Sequence, residues 1–115
     1  MEKYEINKKL EKFSSSVNDL KLALNPDSLK EEINSLTNEM NQDGFWNDQK
    51  SANKIIEQLN ALKEKANLMD EVNNAYQDVL DAVELFELDE NEETMALLEE
   101  LIISFEKLVD ESTIK

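Results

Sequence analysis

The stretch VELFELDENEETMALL, residues 83–98, decides the fold, because one long helical pattern ends within it and another begins. Apolar residues recur every three or four positions before this stretch, and again from Met95 onward. Residues 88–91 form a polar connection in which Asp89 or Asn91 can cap the following helix. The acids at positions 90, 92 and 93 suit the positive N-terminal end of that helix. A short connection between two helical patterns predicts an antiparallel helical hairpin.

Two further helical patterns precede the hairpin. The apolar residues of the first pattern are spaced by 4, 3, 4, 3 and 4 residues, and the pattern stops at Asn25. The only proline, Pro26, follows, and proline suits the first turn of a helix. Asn25 is a candidate N-cap for the second helix, and Ser28 with Glu31 offers an alternative capping box. The first two patterns comprise Ile6, Leu10, Phe13, Val17, Leu20 and Leu24, then Leu29, Ile33, Leu36 and Met40.

The third pattern is the longest, because no glycine or proline interrupts residues 48–88. Its spacing is irregular around Met69, and residues 67–74 are where so long a helix could bend. The fourth pattern has a broader apolar face than the others, which favours packing within one chain over a dimeric rod. These two patterns comprise Ala52, Ile55, Leu59, Leu62, Ala66, Met69, Val72, Tyr76, Val79, Val83 and Phe86, then Met95, Leu98, Ile102, Phe105 and Val109.

The sequence therefore predicts an all-α fold, an antiparallel helical bundle with a long helical hairpin. We expect helices at about 2–24, 26–41, 48–88 and 91–112 within a single domain, residues 1–115. No segment alternates with period two for long enough to predict a strand. An extended coiled coil is the alternative that the heptad-like spacing leaves open.

The turn between the second and third helices holds the motif Asp-Gly-Phe-Trp-Asn-Asp, residues 43–48. Gly44 tolerates a positive φ, and Asn47 or Asp48 can cap the long helix. We expect Phe45 and Trp46 to pack against the helix start and to fill the space between the helices. An exposed aromatic anchor for a partner protein is the alternative interpretation.

Charge and composition exclude several classes of function. The chain has neither cysteine nor histidine, which excludes disulfides, thiolate metal sites and histidine-based catalysis. It has one glycine, which excludes a glycine-rich phosphate loop, and the spacing of its acids does not match a calcium loop. No apolar run is long enough for a membrane span, and Met1-Glu2-Lys3-Tyr4 lacks the apolar core of a signal peptide, so we expect none. We expect a soluble cytoplasmic protein without enzymatic activity, cofactor, metal or catalytic residue.

The acidic charge is concentrated in the second half of the chain. The formal net charge is -15, and residues 61–115 carry 16 acids against 4 lysines. Such a surface repels phosphate backbones, so we expect no direct nucleic-acid binding by this chain and no membrane association. A solvated face that keeps the chain in solution is one interpretation of these acids, and a docking surface for a basic partner protein is the other.

We call the turn at residues 43–48 the elbow. The elbow and its surroundings resemble the N-terminal domain of the bacterial peptide chain release factor 2 family, whose members are class I release factors. The resemblance rests on Glu39-Met40-Asn41-Gln42, on Phe45-Trp46-Asn47-Asp48-Gln49 with Ala52, and on Leu59 followed by Leu62-Lys63. Tyr4-Glu5-Ile6-Asn7 and residues 89–94 fit the same layout, so the likeness covers essentially the whole chain. One departure is Asp43-Gly44, where the family usually has a proline and an acid before the phenylalanine.

The resemblance implies a role in translation termination. Such factors recognise UGA and UAA stop codons through a Ser-Pro-Phe motif and trigger peptidyl-tRNA hydrolysis through a Gly-Gly-Gln motif, and neither motif occurs here. The chain is thus expected to be the first domain of a longer factor. In the family this helical module lies near the ribosomal GTPase-associated centre, faces the stalk-base protein and can interact with the GTPase release factor.

The alternative is a free-standing helical adaptor or a chaperone-like coiled-coil protein. The reading frame after Lys115 would discriminate, since a release factor requires it to continue into Ser-Pro-Phe and Gly-Gly-Gln.

Overall fold

The computed structural model describes the backbone of residues 1–113 and the side chains of residues 1–112. Four α-helices follow one another: α1, Lys3–Leu24; α2, Pro26–Met40; α3, Gln49–Leu88; and α4, Glu92–Thr113. A short 3₁₀ turn, Phe45–Asn47, lies between α2 and α3. The described chain contains no strand, so the predicted all-α fold class is confirmed. Each helix begins and ends within one residue of the predicted bounds.

The chain divides into two compact units, and two helices pass from one into the other. The first unit, the terminal unit, comprises Met1–Leu20 and the described residues from Asp70 onward. The second, the elbow unit, comprises Lys21–Met69. Helix α1 and the 40-residue α3 contribute to both units, and α3 is helical at every position across the boundary. The boundary within α1 falls in regular apolar spacing, whereas the boundary within α3, between Met69 and Asp70, coincides with the irregular spacing noted in the sequence.

In the terminal unit, three helical segments form a bundle. The last part of α3 and α4 make an antiparallel hairpin joined by residues 89–91. The start of α1 lies beside the end of α3, so α1 runs antiparallel to α3 and parallel to α4. Two aromatic contacts join the three segments. The ring centroid of Phe105 in α4 lies 4.5 Å from that of Phe13 in α1 and 5.9 Å from that of Tyr76 in α3. The predicted helical hairpin is present.

The core of the terminal unit is made of residues that the apolar spacing selected, with one exception: Ala82 is buried, although the predicted pattern passes from Val79 to Val83, which is half-buried. Burying these side chains removes apolar surface from water, which is the main driving force for packing the helices together. The buried side chains of this unit are Ile6, Phe13, Val17, Val72, Val79, Ala82, Leu98, Ile102 and Phe105.

The connection between α3 and α4 is held by hydrogen bonds that satisfy the start of α4. Asn91 is the N-cap, since its Oδ1 accepts a 2.9 Å hydrogen bond from the Thr94 N–H. The Thr94 hydroxyl in turn accepts a 3.1 Å bond from the Asn91 N–H and donates a 2.7 Å bond to the Asp89 carbonyl. These bonds pair backbone groups that would otherwise be left without partners at the helix start. Of the two residues predicted to cap α4, Asp89 and Asn91, the structure shows Asn91 in that role.

In the elbow unit, α2 and the first part of α3 form a second antiparallel pair. Residues 32–36 of α2 lie along residues 58–62 of α3. The N-cap of α2 is Asn25, as predicted, with a left-handed φ of 50° and a 3.3 Å hydrogen bond from the Ser28 N–H to its Oδ1. The buried side chains of this unit are Leu29, Ala52, Leu59 and Met69.

None of the helices in residues 1–113 is long and apolar enough to cross a membrane.

Candidate functional site

Two surface features are candidates for function: the elbow between α2 and α3, and the acidic hairpin of α3 and α4. The conformation of the elbow is set by its backbone torsion angles and backbone hydrogen bonds. Gly44 has φ of 81°, the left-handed region, and a Cβ at this position would lie 3.1 Å from the Asn47 side-chain nitrogen. The Phe45 N–H donates to the Gln42 carbonyl at 3.2 Å, and the Asn47 N–H donates to the Gly44 carbonyl at 3.0 Å. Glycine is the residue that adopts this conformation at least cost.

Asp48 ends the elbow and begins α3. Its carboxylate accepts hydrogen bonds from the Ser51 N–H, at 3.2 Å, and from the Ser51 hydroxyl, at 3.0 Å. These bonds stabilise the charged form, so the Ser51 backbone N–H, with its hydroxyl, lowers the pKa of Asp48 below the ordinary aspartate value. Of the two predicted caps for α3, Asp48 therefore holds the position, and its role is structural.

The expectation that Trp46 fills the space between the helices is wrong. Its side chain is 62% exposed, whereas Phe45 is half-buried. The two rings meet edge to face, with centroids 4.9 Å apart at an interplanar angle of 90°. Phe45 faces inward at this turn, and the geometry of the 3₁₀ turn leaves the neighbouring indole at the surface. The structure thus agrees with the alternative interpretation in one respect, that Trp46 is exposed.

The acidic hairpin carries 13 acids and no base between Lys65 and Lys107. Two cations reach this surface, Lys9 of α1 and the ammonium of Met1, which precedes α1. The Lys9 Nζ lies 2.7 Å from Glu106 Oε2, and the N-terminal ammonium lies 3.7 Å from Glu99 Oε1. Within the described part of the chain, the remaining acids of this set make no ion pair. The 13 acids are Asp70, Glu71, Asp78, Asp81, Glu84, Glu87, Asp89, Glu90, Glu92, Glu93, Glu99, Glu100 and Glu106.

The two ion pairs were not predicted, because their partners lie 97 and 98 residues apart in sequence. Periodicity places Lys9 and Glu106 on their own helices but does not say which helices become neighbours. Among residues 1–112, no group of three or more Asp and Glu side chains is arranged to hold a metal ion. The acids are therefore distributed over the helix surfaces, an arrangement that suits long-range attraction of cations better than coordination.

Comparisons with known proteins give consistent results. The model of the PCRF domain matches residues 29–115. Peptide chain release factor 2 of Acholeplasma laidlawii is 37% identical over 115 residues, which is 100% of this chain and 31% of that protein. The same-named proteins of Kosmotoga olearia and Staphylococcus epidermidis are 29% and 32% identical, over 94% and 96% of this chain and 29% and 30% of their own.

This chain therefore spans about a third of the length of these curated relatives. No solved structure matches it significantly.

Proposed function

The chain belongs to the PCRF domain family, and from that premise we propose that it is the accessory N-terminal domain of a translation termination factor. The resemblance to release factor 2 that the elbow motif predicted is confirmed by the relatives that carry that name. The observation that carries the proposal is the extent of these matches, which cover nearly all of this chain but only about a third of each relative's length.

In the proposed full-length factor, other domains recognise UGA and UAA codons and trigger peptidyl-tRNA hydrolysis. This domain contributes by binding protein near the ribosomal GTPase-associated centre, with the stalk base and the GTPase release factor as partners. The factor works in the cytoplasm, on the ribosome. The family resemblance supports each of these assignments.

The residues of this domain support a binding role rather than a catalytic one. Proton transfer at neutral pH most often uses histidine, and the chain has none. The carboxylate of Asp48, whose pKa is lowered by the hydrogen bonds from Ser51, is occupied in capping α3. These features favour a binding role for the domain.

The charge distribution supports protein partners over RNA. Phosphate backbones carry a negative charge at every nucleotide and are attracted by Lys and Arg, but the chain has no arginine. Between Lys65 and Lys107 its surface is acidic, and in the described part of the chain the ion pairs with the Met1 ammonium and Lys9 involve only Glu99 and Glu106 of these acids. Uncompensated charge of this kind raises the association rate with basic proteins and loses its effect at high salt.

A peptide-release assay tests the proposal. Ribosomes stopped at UGA are mixed with the full-length factor, with the factor lacking residues 1–115, or with the 115-residue chain alone. We expect the full-length factor to release peptide, the truncated factor to retain part of that activity, and the chain alone to release none. The truncated factor should also lose part of its response to the GTPase release factor or to the stalk base.

Two outcomes would contradict the proposal. Stop-codon-dependent release by the 115-residue chain alone would require chemistry that these residues lack. Full release by the truncated factor, with an unchanged response to the GTPase factor and the stalk base, would remove the proposed accessory role.

A further inference from the structure

One end of the terminal unit contains an open cleft of about 530 Å³ between the start of α1 and the end of α3. We call it the end cleft. Its floor is apolar, formed by the buried Ile6 and the half-buried Val83 and Phe86. The volume lies within the range of about 300–1,000 Å³ that is typical of ligand-binding clefts. The end cleft is thus a concave apolar surface that the bundle's own helices leave open.

The end cleft continues toward α4. Phe86 and Glu90 also line a shallow groove, whose far side is formed by Met95 and Ala96. Phe86 therefore lies at the junction of two adjoining depressions, with apolar side chains on both sides. A segment of extended or helical chain could contact both, whereas a single small molecule would fill only one.

The rim of this surface is acidic. Glu2, Glu87 and Glu90 line the end cleft, and Glu92 and Glu99 line its continuation. The cations beside these five carboxylates are Lys3 and the N-terminal ammonium, and the ammonium is already 3.7 Å from Glu99. The rim is left with a surplus of negative charge around an apolar floor.

Tyr4 completes the surface. Its side chain is 70% exposed at the edge of the end cleft, and Lys8 Nζ lies 5.7 Å from its ring centroid. This contact shows that the ring is placed to attract a cation over one face. A large exposed ring at the edge of a concave surface is typical of residues that anchor binding partners.

We propose that the end cleft binds a basic amphipathic segment of a partner protein. Apolar side chains of the segment pack on Phe86 and Val83, and its Lys or Arg side chains pair with Glu87 and Glu90. Charge complementarity selects this occupant, because a nucleic acid, an anionic membrane or a second copy of this acidic chain would bring like charge to the rim. The proposal deepens the proposed function and rests on it only for placing the partner at the ribosome.

Binding of synthetic peptides to the 115-residue chain tests the proposal. The probe is a fluorescein-labelled amphipathic helical peptide with Leu on one face and Lys on the other, the Leu–Lys peptide, and fluorescence anisotropy measures its Kd. Two control peptides of equal length have Glu in place of Lys, or Ser in place of Leu. We expect the Leu–Lys peptide to bind and both controls to bind at least about tenfold more weakly, a difference of about 1.4 kcal/mol.

Charge reversals locate the site. The double variant Glu87→Lys/Glu90→Lys should weaken binding of the Leu–Lys peptide by about tenfold or more. The matched control, Glu71→Lys/Glu111→Lys, changes the net charge by the same amount, and both of its positions are exposed in the terminal unit but outside the end cleft. That control should leave the Kd within about twofold. Tyr4→Ser, at an exposed position, should weaken binding without changing the circular dichroism spectrum.

Several results would overturn the proposal. One such result is that the control peptide with Ser in place of Leu binds as tightly as the Leu–Lys peptide. Another is that the two double variants lose the same affinity. Either result would mean that net charge alone attracts the peptide. If the parent chain is a dimer and the Glu87→Lys/Glu90→Lys variant is a monomer, a second copy of the chain occupies the end cleft. Because no ribosome is present, failure of peptide binding refutes only the end-cleft proposal, whereas the release assay decides the accessory role in termination.

Discussion

The rings of Phe13 and Phe105 lie 4.5 Å apart, centroid to centroid, at an interplanar angle of 44°, although 92 positions separate them in sequence. Both side chains are buried, Phe13 to 3% exposure and Phe105 to 0%. Tyr76 contacts Phe105 from α3, so one ring joins all three helical segments of the terminal unit. The packing of the terminal unit therefore depends strongly on Phe105.

Phe105→Ala should therefore destabilise the terminal unit by about 3–5 kcal/mol, the usual cost of a large-to-small change in a core. Urea unfolding followed by circular dichroism measures the free energy of unfolding. Ile103→Ala is the matched control, because Ile103 lies on the same helix but is 64% exposed. Its effect should stay within about 0.5 kcal/mol. A loss for Phe105→Ala no larger than that of the control would contradict the packing described above.

Trp46 is the only tryptophan, so the fluorescence of the chain reports on the elbow alone. Because the indole is exposed, we expect red-shifted emission that iodide quenches nearly as well as in the urea-unfolded chain. Trp46→Ala should change the free energy of unfolding by no more than about 0.5 kcal/mol. Blue-shifted, protected emission together with a large loss of stability would restore the interpretation of Trp46 as a core residue.

Gly44→Ala should destabilise the elbow unit by about 1–2 kcal/mol, because alanine is strained at a φ of 81°. The added Cβ would also press on the Asn47 side chain, which is 3.1 Å away. Gly44→Asn is the comparison, since asparagine tolerates the left-handed region better and should cost less. Thermal and urea unfolding measure both variants. Equal stability of Gly44→Ala and the parent chain would show that the turn relaxes to another conformation.

Asp48 should make stability depend on pH in the acidic range. Its folded-state pKa lies below the unfolded value of about 3.9, so its contribution is present above the unfolded pKa and is lost as pH falls through the folded pKa. Asp48→Asn keeps an N-cap acceptor that does not titrate. The stability advantage of the parent chain over this variant should therefore shrink on acidification. A pH-independent difference, or an unshifted carboxyl titration by NMR, would refute this role.

The Lys9–Glu106 ion pair should contribute little to stability despite its 2.7 Å separation. Each side chain is about one-third exposed, at 33% and 35%, so water and salt screen the attraction. A double-mutant cycle with Lys9→Met and Glu106→Gln should give a coupling energy of less than about 1 kcal/mol, decreasing as salt is added. A coupling of several kcal/mol that salt does not change would indicate a pair shielded from water.

The helices and most of the core could be predicted because they depend on local signals. Asn25-Pro26, Asp48 and Asn91 carry the capping chemistry that starts α2, α3 and α4, and each acts within three residues of its own position. The apolar spacing likewise selects Phe13, Phe105 and their neighbours, since a buried face must recur every three or four residues.

The surfaces could not be predicted to the same extent, because they depend on which helices meet. The pattern Gly-Phe-Trp is equally compatible with a buried and an exposed indole, and the 3₁₀ turn that decides between them involves the whole connection from α2 to α3. The end cleft is formed by residues 1–7 and 83–90, which approach each other only in the folded bundle. The division into two compact units is only weakly marked in the sequence. The apolar spacing is irregular around Met69, but α3 continues as a helix there, and α1 crosses its own boundary with regular spacing.

The bonds that join Asp89, Asn91 and Thr94 give the hairpin a fixed length as well as a cap. An extra residue between Asp89 and Asn91 would have to break the bond from the Thr94 hydroxyl to the Asp89 carbonyl, or else advance α4 by one position. One position turns a helix by about 100°, enough to carry Phe105 out of the core. The fold of this connection is therefore expected to tolerate replacement of Glu90 by many residues without loss of stability, but not insertions or deletions.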